Sequence, residues 1–423
     1  MHQHPLVRLY VSLMLGFVMS CGSIAAYAAT VMDSPHEDKL TINTKLTLHE
    51  VLERTFERNP QQLTLQAMNG EVQARYINAR GLLPNVPAVT LRHLNDQLAS
   101  GRGEREWEAE MELPVWLPGQ KLARNTVANE AQSGLSASRD GLMLQVAGVV
   151  RDALWDISLN EESATLYDAR FQTALKLEHD VERRYQAGEL AKTDLMLTQN
   201  ETLLAEAARL RAVAELNHAR HRYIALTGLH DFPANTTEAL SAINELTEQH
   251  PLIHEAESKI ELAKGERGLV SVERRENPLL ILSARSQRGA FDNRYNDGLG
   301  FKVRIPLDSE VRSAPMMALA EYGVAKVTAD RDRLRLAMEI MLHEAEHNLE
   351  VTQAEIELVT KQHVIGQESI RLAKKSFSLG ETDLVSLLRV QASAFETERA
   401  LSVKKIQLQW DIARYNQAVG VLP

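Results

Sequence analysis

The sequence predicts a mainly α-helical chain with a small β part, internally duplicated from one unit. Three observations predict this fold class: long stretches without proline, short segments in which apolar and polar residues alternate, and a repeat at an offset of about 192 residues. Apolar residues three and four positions apart indicate helix, whereas a period of two indicates strand. The chain has 423 residues, of which 44% are hydrophobic and 25% charged. It is therefore long and apolar enough to bury a large core.

The two halves of the chain repeat each other. The segment "RRYQAGELAKTDL" in the first half corresponds to "KKSFSLGETDL" in the second, which aligns Gly188 with Gly380. Likewise "RYIALTGL" corresponds to "RYNQAVGV" near the end of each half. The period is much too long for a solenoid of short repeats. We therefore predict a duplicated, domain-sized unit, with a first repeat over residues 30–228 and a second over 229–423.

Each half contains one segment that predicts a β-hairpin. The first hairpin is expected at about 86–115, with strands at 86–95 and 104–115 joined by the turn-rich "DQLASGRG". The second is expected at about 279–307, with strands at 279–288 and 298–307 joined by "GAFDNRYND". Gly, Asp, Asn and Ser in these connections are typical turn residues. The sequence thus predicts four strands in two hairpins.

The stretch "EREWEAEMELPVW" alternates most strictly. As a strand it has one apolar face, with Trp107, Met111 and Leu113, because successive side chains point to opposite sides. The fourth strand alternates in the same way. The polar faces of these two strands carry Glu106, Glu108, Glu110, Glu112, Lys302 and Arg304.

The other segments predict helices, two of which are unusually long. Residues 120–187 and 316–379 contain no proline, and each would form a helix of roughly 100 Å. Gly134, Gly141 and Gly148 lie one heptad apart and would allow a second helix to approach closely. Shorter helices are expected at 48–81, 194–227, 243–275 and 383–419. A coiled-coil seam is predicted at Ile356, Val359, His363, Gly366, Ile370, Ala373 and Phe377.

The first thirty residues have the pattern of an export signal. Arg8 precedes an apolar run over residues 9–19, and the small residues Ala26 and Ala28 then form a cleavage pattern. We predict a signal peptide over residues 1–29 and a mature chain outside the cytoplasm.

The single cysteine, Cys21, lies in this signal segment. The mature chain therefore has no intramolecular disulfide. The surrounding "VMSCGS" resembles a bacterial lipoprotein box, from which Val18 and Met19 depart. Two fates of Cys21 stay open: lipidation, or removal together with the signal.

Composition excludes some classes of function. The formal net charge is -10, whereas a nucleic-acid-binding protein carries a basic surface, so we predict no nucleic-acid partner. No run of about 18 apolar residues follows the signal, which predicts that only strands could span a membrane. The "HEAEH" segment from His343 to His347 matches a zinc-protease pattern, but it lies within a long acidic helix, which favours a solvated surface. We predict neither an enzyme nor a bound metal or cofactor.

Four strands in one chain predict assembly of several chains. An open sheet edge cannot lie in lipid, so closure needs further copies. Two chains would give eight strands around an interior filled by side chains, and three would give twelve strands and an open pore. We therefore predict a homotrimer with a 12-stranded transmembrane β-barrel, whose apolar face meets outer-membrane lipid and whose glutamate row lines the lumen. This row either favours cations or only remains hydrated.

The repeated turn motif carries a resemblance to a known family. "RYQAGELAKTDLMLTQNE" from Arg184 and "SFSLGETDLVSLLRVQ" from Ser376 resemble the Tyr-x-x-Gly and Asp-Leu pattern of the TolC family of outer-membrane efflux ducts, with Phe377 in the tyrosine position of the second copy. The resemblance covers nearly all of the mature chain. It implies antiparallel coiled coils that form a periplasmic α-barrel, and location in the outer membrane with a long periplasmic extension.

The resemblance also implies roles for residues at the two glycine turns. In the family, these turns lie at the periplasmic tip, where the duct meets its adaptor and acidic rings narrow the entrance. By position in the motif, the adaptor-docking turns are expected at Gly188, Asp194 and Gly380, and the periplasmic aperture at Asp383 and Glu381.

By the same resemblance, the chain is the passive channel of a tripartite efflux system. Its partners would be a periplasmic adaptor (membrane fusion) protein and an inner-membrane pump of the RND type. The segment "ELPVWLPGQKLAR" and the short chain are most similar to the CzcC-like heavy-metal branch. Three cargoes stay open: heavy-metal cations, drugs or other organic compounds, and proteins exported by type I secretion. An alternative from a different class of function is a secreted structural coiled-coil protein whose hairpins pack on its own helices.

Overall fold

A computed structural model of the chain describes residues 39–307 and 309–423. The predicted signal peptide and Cys21 lie outside the described residues. The described chain is mainly helical with a small β part, as the sequence predicts. In chain order its elements are β1 (Thr41–Asn43), α1 (Leu48–Arg58), α2 (Gln62–Arg80), β2 (Ala88–Asn95), β3 (Arg105–Pro114), α3 (Gln120–Gln186), α4 (Lys192–Thr227), β4 (Asp231–Pro233), α5 (Pro251–Val272), β5 (Leu279–Arg288), β6 (Asn296–Arg304), α6 (Glu310–Ser378) and α7 (Leu384–Ala418).

The two longest helices dominate the molecule. Helix α3 has 67 residues and α6 has 69. Each follows a pair of strands, and each is followed by a helix of about half its length, the 36-residue α4 or the 35-residue α7. Helix α3 packs against α4 and α6 packs against α7, and because only a short turn joins each pair, the partners are antiparallel.

Small residues allow neighbouring helices to approach α3 and α6. A Cβ atom at Gly141 would lie 2.3 Å from Glu255 Oε2 of α5, and one at Gly148 would lie 3.2 Å from the side chain of Gln417 of α7. A Cβ at Gly134 would lie 3.8 Å from Ser258 Oγ, which is an ordinary van der Waals distance. On α6, a Cβ at Gly366 would lie 2.6 Å from Thr397 Oγ1 of α7. The close approach predicted for this glycine series is confirmed at Gly141 and Gly148.

Prolines set two helix boundaries that differ from the predicted ones. The predicted helix over 48–81 is broken into α1 and α2 at Asn59, which is extended (φ -64°, ψ 128°) because a following proline disfavours the helical conformation. Helix α5 begins at Pro251 and not at residue 243, because proline suits the first helical position and His250 Nδ1 accepts a hydrogen bond from the backbone N–H of Leu252.

A third proline does not end its helix. Helix α6 begins at Glu310 and continues through Pro315, whereas the predicted helix begins only at residue 316. The proline removes a single backbone hydrogen bond near the helix end.

The largest hydrophobic core joins α1, α3 and α4. Its centre is Tyr223, whose side chain is fully buried and whose hydroxyl donates to the backbone carbonyl of Asp231, 2.9 Å away. This bond holds β4, which pairs in parallel with β1. The sequence analysis missed both three-residue strands. The buried members of the core are Val51, Leu52, Phe56, Leu142, Val146, Ala147, Val150, Leu154, Ile157, Leu216, Ala219 and Tyr223.

The two hairpins form one four-stranded antiparallel sheet in the order β2-β3-β5-β6. Strand β5 has the predicted bounds, and β2, β3 and β6 differ from prediction by one to three residues at their ends. Strands β2 and β6 form the two edges of the sheet. In the part of the chain that the structure describes, no helix has both the length and the hydrophobicity needed to cross a membrane.

Candidate functional site: a two-faced sheet and two helix turns

The ladder of the sheet places charged residues from all four strands on one face. Glu108 lies opposite Arg92 of β2 and opposite Arg285 of β5. Because side chains alternate along a strand, the other three glutamates of β3 share this face. Lys302 of β6 lies on it two strands away, opposite Ile281 of β5. The face therefore has the row of carboxylates that the alternation predicts.

Ion pairs cross the strands on this polar face. Arg285 Nη2 lies 3.0 Å from Glu106 Oε2, and Arg92 Nη1 lies 3.4 Å from Glu108 Oε2. Lys302 Nζ lies 3.3 Å from Glu110 Oε1. Glu106 is only 7% exposed. The carboxylate row is thus held in a network of opposite charges and is not a free acidic strip.

Sequence reasoning missed Arg92 and Arg285 as members of this face. With Lys302 and Arg304 they give four cations for the four glutamates of β3. The signal was present in the hairpin pattern, since counting back from the turn pairs Arg92 with Glu108. It was weak because β2 has leucines on both faces, Leu91 on one and Leu94 on the other.

The opposite face of the sheet is apolar and exposed. Trp107 is 56% exposed and Met111 is 44% exposed. Apolar side chains of β2, β5 and β6 lie on the same face and extend this surface across the whole sheet. An exposed apolar surface of this kind marks contact with another protein or with a membrane. Its further members are Val89, Leu91, Leu282, Leu299, Phe301 and Val303.

At the far end of α3 and α6, two turns have the same backbone structure. Gly188 (φ 80°) and Gly380 (φ 76°) take the left-handed conformation that glycine adopts without strain. The N–H of Gly188 donates to Tyr185 O and that of Glu189 to Arg184 O; the N–H groups of Gly380 and Glu381 bond to carbonyls at the same offsets. These pairs of bonds define Schellman motifs, which satisfy the last carbonyls of a helix.

The two aspartates after these turns have different environments. Asp383 is the N-cap of α7, and its Oδ1 accepts a hydrogen bond of 2.8 Å from the N–H of Ser386. Asp194 lies three residues inside α4 and bonds back to the N–H of Ala191. The two positions differ because the first turn has three more residues between its glycine and its aspartate than the second turn has. Asp194 and Asp383 therefore correspond in the sequence repeat, but only Asp383 is the N-cap of its helix.

One hydrophobic cluster joins the two turns. Val181 of α3 packs with Phe377 of α6 and Leu384 of α7, and the guanidinium of Arg184 lies 5.1 Å from the centre of the Phe377 ring. Beside this cluster a cleft of about 570 Å³ is lined by residues of both helix pairs, Glu189 and Gln391 among them. The structure thus brings Gly188 and Gly380 to the same end of the molecule, with Glu381 and Asp383 exposed there.

Helix α6 carries the two histidines of the "HEAEH" segment. His343 and His347 occupy exposed positions on this helix. Among residues 39–307 and 309–423, no group of three or more His, Cys, Asp or Glu side chains is placed to hold a metal ion.

The structure is similar over most of its length to solved outer-membrane proteins. It matches the outer membrane protein VceC from Vibrio cholerae with a TM-score of 0.70 and 16% sequence identity, over 89% of this chain and 97% of that chain. The chain has the fold of an outer-membrane channel. It also matches the CmeC outer membrane channel of Campylobacter jejuni (TM-score 0.67, 11% identity, 88% of this chain and 85% of that chain).

A third match is to the open state of the MtrE outer membrane channel of Neisseria gonorrhoeae, with a TM-score of 0.64 and 16% identity, over 88% of this chain and 89% of that chain. No protein-family model matches the sequence, and no curated protein matches it. The likeness to these channels is therefore one of fold.

Proposed function

We propose that this chain is the outer-membrane channel of a tripartite efflux system, which passively conducts substrate from an inner-membrane pump and a periplasmic adaptor to the exterior. The observation that carries the proposal is the fold likeness to outer-membrane channels over 88% of the chain. Non-catalytic conduction also agrees with the form of the molecule, in which two long helix pairs end in a two-faced sheet.

The sheet supports assembly into a closed ring. Strands β2 and β6 are edges, each with unpaired backbone groups along one side, and such edges pair with other strands or must be protected. We propose that three copies join edge to edge into a 12-stranded transmembrane β-barrel, with the helix pairs forming a periplasmic α-barrel. The apolar face would then meet lipid, and the polar face of Glu106, Glu108, Glu110, Glu112, Lys302 and Arg304 would line the lumen.

The repeated order of elements supports the duplication. Two strands, a helix of 67 or 69 residues and a helix of 36 or 35 residues occur in each half. We propose repeats over 30–228 and 229–423, each contributing one hairpin and one long helix pair to the ring. A signal over residues 1–29 and either lipidation or removal of Cys21 belong to the same proposal.

The turns at Gly188 and Gly380 are the proposed docking surface for the adaptor. They are exposed, they lie at one end of the molecule, and the cleft beside them has side chains from both helix pairs. Asp194 would support the first turn. Asp383 and Glu381 would lie at the periplasmic aperture, where three copies of each meet near the axis.

The cargo is chosen by the pump in this proposal, and the channel supplies the conduit. Heavy-metal cations are favoured only by the similarity of "ELPVWLPGQKLAR" to the CzcC-like branch. Drugs or other organic compounds, and proteins exported by type I secretion, would use the same duct. Deletion of the gene, followed by growth on metal salts and on a panel of dyes and antibiotics, distinguishes metal export from export of organic compounds. Sensitivity to organic compounds alone would contradict metal export.

Membrane fractionation and cross-linking test the channel itself. The protein should fractionate with the outer membrane, require detergent for extraction, and give a threefold cross-linked species. The alternative of a secreted structural coiled coil predicts a monomer that remains soluble without detergent. Recovery of such a monomer would contradict the proposed function.

A further inference from the structure

Two arginines lie side by side on the apolar face of the sheet, at the end next to the hairpin loops. Arg105 of β3 and Arg288 of β5 are direct partners in the ladder. Facing partners in an antiparallel pair have Cα atoms about 4.5–5.5 Å apart. Like charges directly opposite each other destabilise a sheet. A pair of this kind therefore needs a compensating negative group.

No such group comes from the described part of the chain. On the polar face, Arg92, Arg285 and Lys302 all pair with glutamates. By contrast, no carboxylate within the described residues forms an ion pair with Arg105 or Arg288. The one acidic residue in the neighbouring rows of this face, Asp297, accepts a hydrogen bond from Ser286 Oγ at 2.7 Å.

The surroundings of Arg288 leave donor capacity unused. Its Nη2 donates a long hydrogen bond of 3.4 Å to Gly103 O, and its guanidinium lies 5.6 Å from the centre of the Tyr295 ring. Its Nε is buried and has no hydrogen-bond partner among the described atoms. A buried donor without an acceptor is unfavourable. Guanidinium groups satisfy several donors at once when they bind a phosphate.

An apolar groove begins next to the arginine pair. One row further along the face, Trp107 stacks on His93 with ring centres 3.9 Å apart. In the following row two small residues, Ala109 and Ala284, face each other and form the floor of a groove of about 360 Å³, which Leu299 helps to line. A groove of this shape beside two cations fits a molecule that has both a phosphate and an alkyl chain.

We propose that Arg105 and Arg288 bind the phosphate of a membrane lipid whose acyl chain lies in the groove over Ala109 and Ala284. The proposal rests on the proposed function, because it requires the apolar face to lie in a bilayer. The arginines would then be at headgroup level, beyond the apolar rows and next to Trp107, where aromatic residues are common in membrane proteins. Free inorganic phosphate could satisfy the arginines but not the groove.

Fluorescence quenching of Trp107 provides a test. The full protein is reconstituted in bilayers with increasing amounts of dibrominated phosphatidylglycerol or dibrominated phosphatidylcholine, and the signal of a W107F variant is subtracted to remove the other tryptophans. We expect Trp107 to be quenched at a roughly tenfold lower mole fraction of the anionic lipid than of phosphatidylcholine. The reason is that each arginine near a membrane surface adds to the attraction for anionic lipid. In R105Q/R288Q the two lipids should quench equally.

The matched control is R92Q/R285Q, which removes the same charge from the polar face of the same sheet, on β2 and β5. It should keep the full preference for phosphatidylglycerol. The single variants R105Q and R288Q should each lose part of the preference, which gives a result even if the double variant does not fold.

Four results would overturn the lipid site. These are equal quenching by both lipids in the unmodified protein, a preference that survives R105Q/R288Q, the same loss of preference in R92Q/R285Q, and abolition of the preference by millimolar inorganic phosphate. Absence of quenching by either lipid would mean that Trp107 is not in the bilayer. That result would contradict the proposed function as well, and so differs from failure of the lipid site alone.

Discussion

Asp383 combines a structural role with its proposed role at the aperture. Its carboxylate caps α7, and the hydrogen bonds from Ser386 hold the pKa of Asp383 below its usual value. It is therefore ionised at neutral pH. Removing the side chain would change both the helix cap and the charge near the proposed axis, so a single alanine substitution cannot separate the two roles.

Two substitutions at this position separate charge from capping. Asparagine caps a helix about as well as aspartate, whereas alanine does not. We expect both D383N and D383A to raise single-channel conductance in planar bilayers, on the order of twofold, because a ring of like charges is removed from a narrow entrance. Only D383A should also lower the melting temperature. A change of conductance in D383A alone would assign Asp383 to the cap and remove it from the aperture.

His250 predicts a pH dependence of stability. It is 3% exposed, its Nε2 has no hydrogen-bond partner within the described chain, and it lies against Gly420, where an added Cβ would come within 2.6 Å of His250 Cδ2. Burial lowers the pKa of His250 from 6.5. The unfolded chain therefore binds the proton more readily, and stability is complete above about pH 6.5 and decreases as the pH falls below it.

The melting temperature should accordingly fall by a few degrees between pH 7 and pH 5. H250N keeps a side chain that can cap α5 but does not titrate, so its melting temperature should change less over this interval. An equal pH dependence in H250N would show that other groups are responsible.

At the scale of single elements, β3 gives the sharpest contrast between two neighbouring positions. Met111 is 44% exposed on the apolar face, and Glu110 pairs with Lys302 on the polar face. In the proposed barrel, M111R would place a cation against lipid. Such a substitution destabilises a barrel by about 2–4 kcal/mol per chain near the membrane midplane. We expect M111R to prevent recovery of the cross-linked trimer from membranes.

E110Q should assemble normally, because it changes only one partly exposed ion pair. Cysteine variants at the same two positions report their surroundings directly. A cysteine at 110 should react with a water-soluble thiol reagent in intact membranes, and one at 111 should not. Reversed labelling would mean that the sheet has its faces exchanged, since a shift of one residue moves every side chain to the other face.

The elements with a strong local pattern are those that the sequence predicted best. Strand β5 matches at both ends, and α3 begins at Gln120 as expected, because Pro118 and the left-handed Gly119 come directly before it. Strands β1 and β4 have only three residues each, too few for a period, and they exist because Tyr223 holds β4 from the core. The positions of Arg92 and Arg285 depend on strand register, and the different positions of Asp194 and Asp383 depend on turn length. The sequence alone specifies neither feature strongly.

The whole molecule places the two candidate sites far apart. Helix α3 starts shortly after β3 and runs for 67 residues toward the Gly188 turn, which corresponds to about 100 Å at 1.5 Å per residue. A substitution in the sheet should therefore leave the turns at Gly188 and Gly380, the proposed adaptor-docking surface, unchanged. For the same reason, conduction through the proposed barrel and restriction at the proposed aperture can be measured separately.

The balance of charge on the polar face predicts the ion preference of the proposed channel. The face has four glutamates on β3, and the cations Arg92, Arg285, Lys302 and Arg304 on the other strands. Three copies would give twelve charges of each sign. The lumen of the proposed barrel should therefore discriminate weakly between K⁺ and Cl⁻, although the glutamate row by itself predicts a preference for cations.

Two matched double variants test this balance in planar bilayers under a KCl gradient. R92Q/R285Q would leave six uncompensated carboxylates in the trimer, and the permeability ratio of K⁺ to Cl⁻ should rise from about 1 to roughly 5, since a lumen with one sign of charge concentrates the opposite ion. E106Q/E108Q removes the carboxylates that pair with these arginines, and the reversal potential should move by a similar amount toward that of Cl⁻. Strong cation selectivity in the unmodified channel would show that the arginines do not compensate the row. If neither variant shifts the reversal potential, the polar face of the sheet does not line the conducting path.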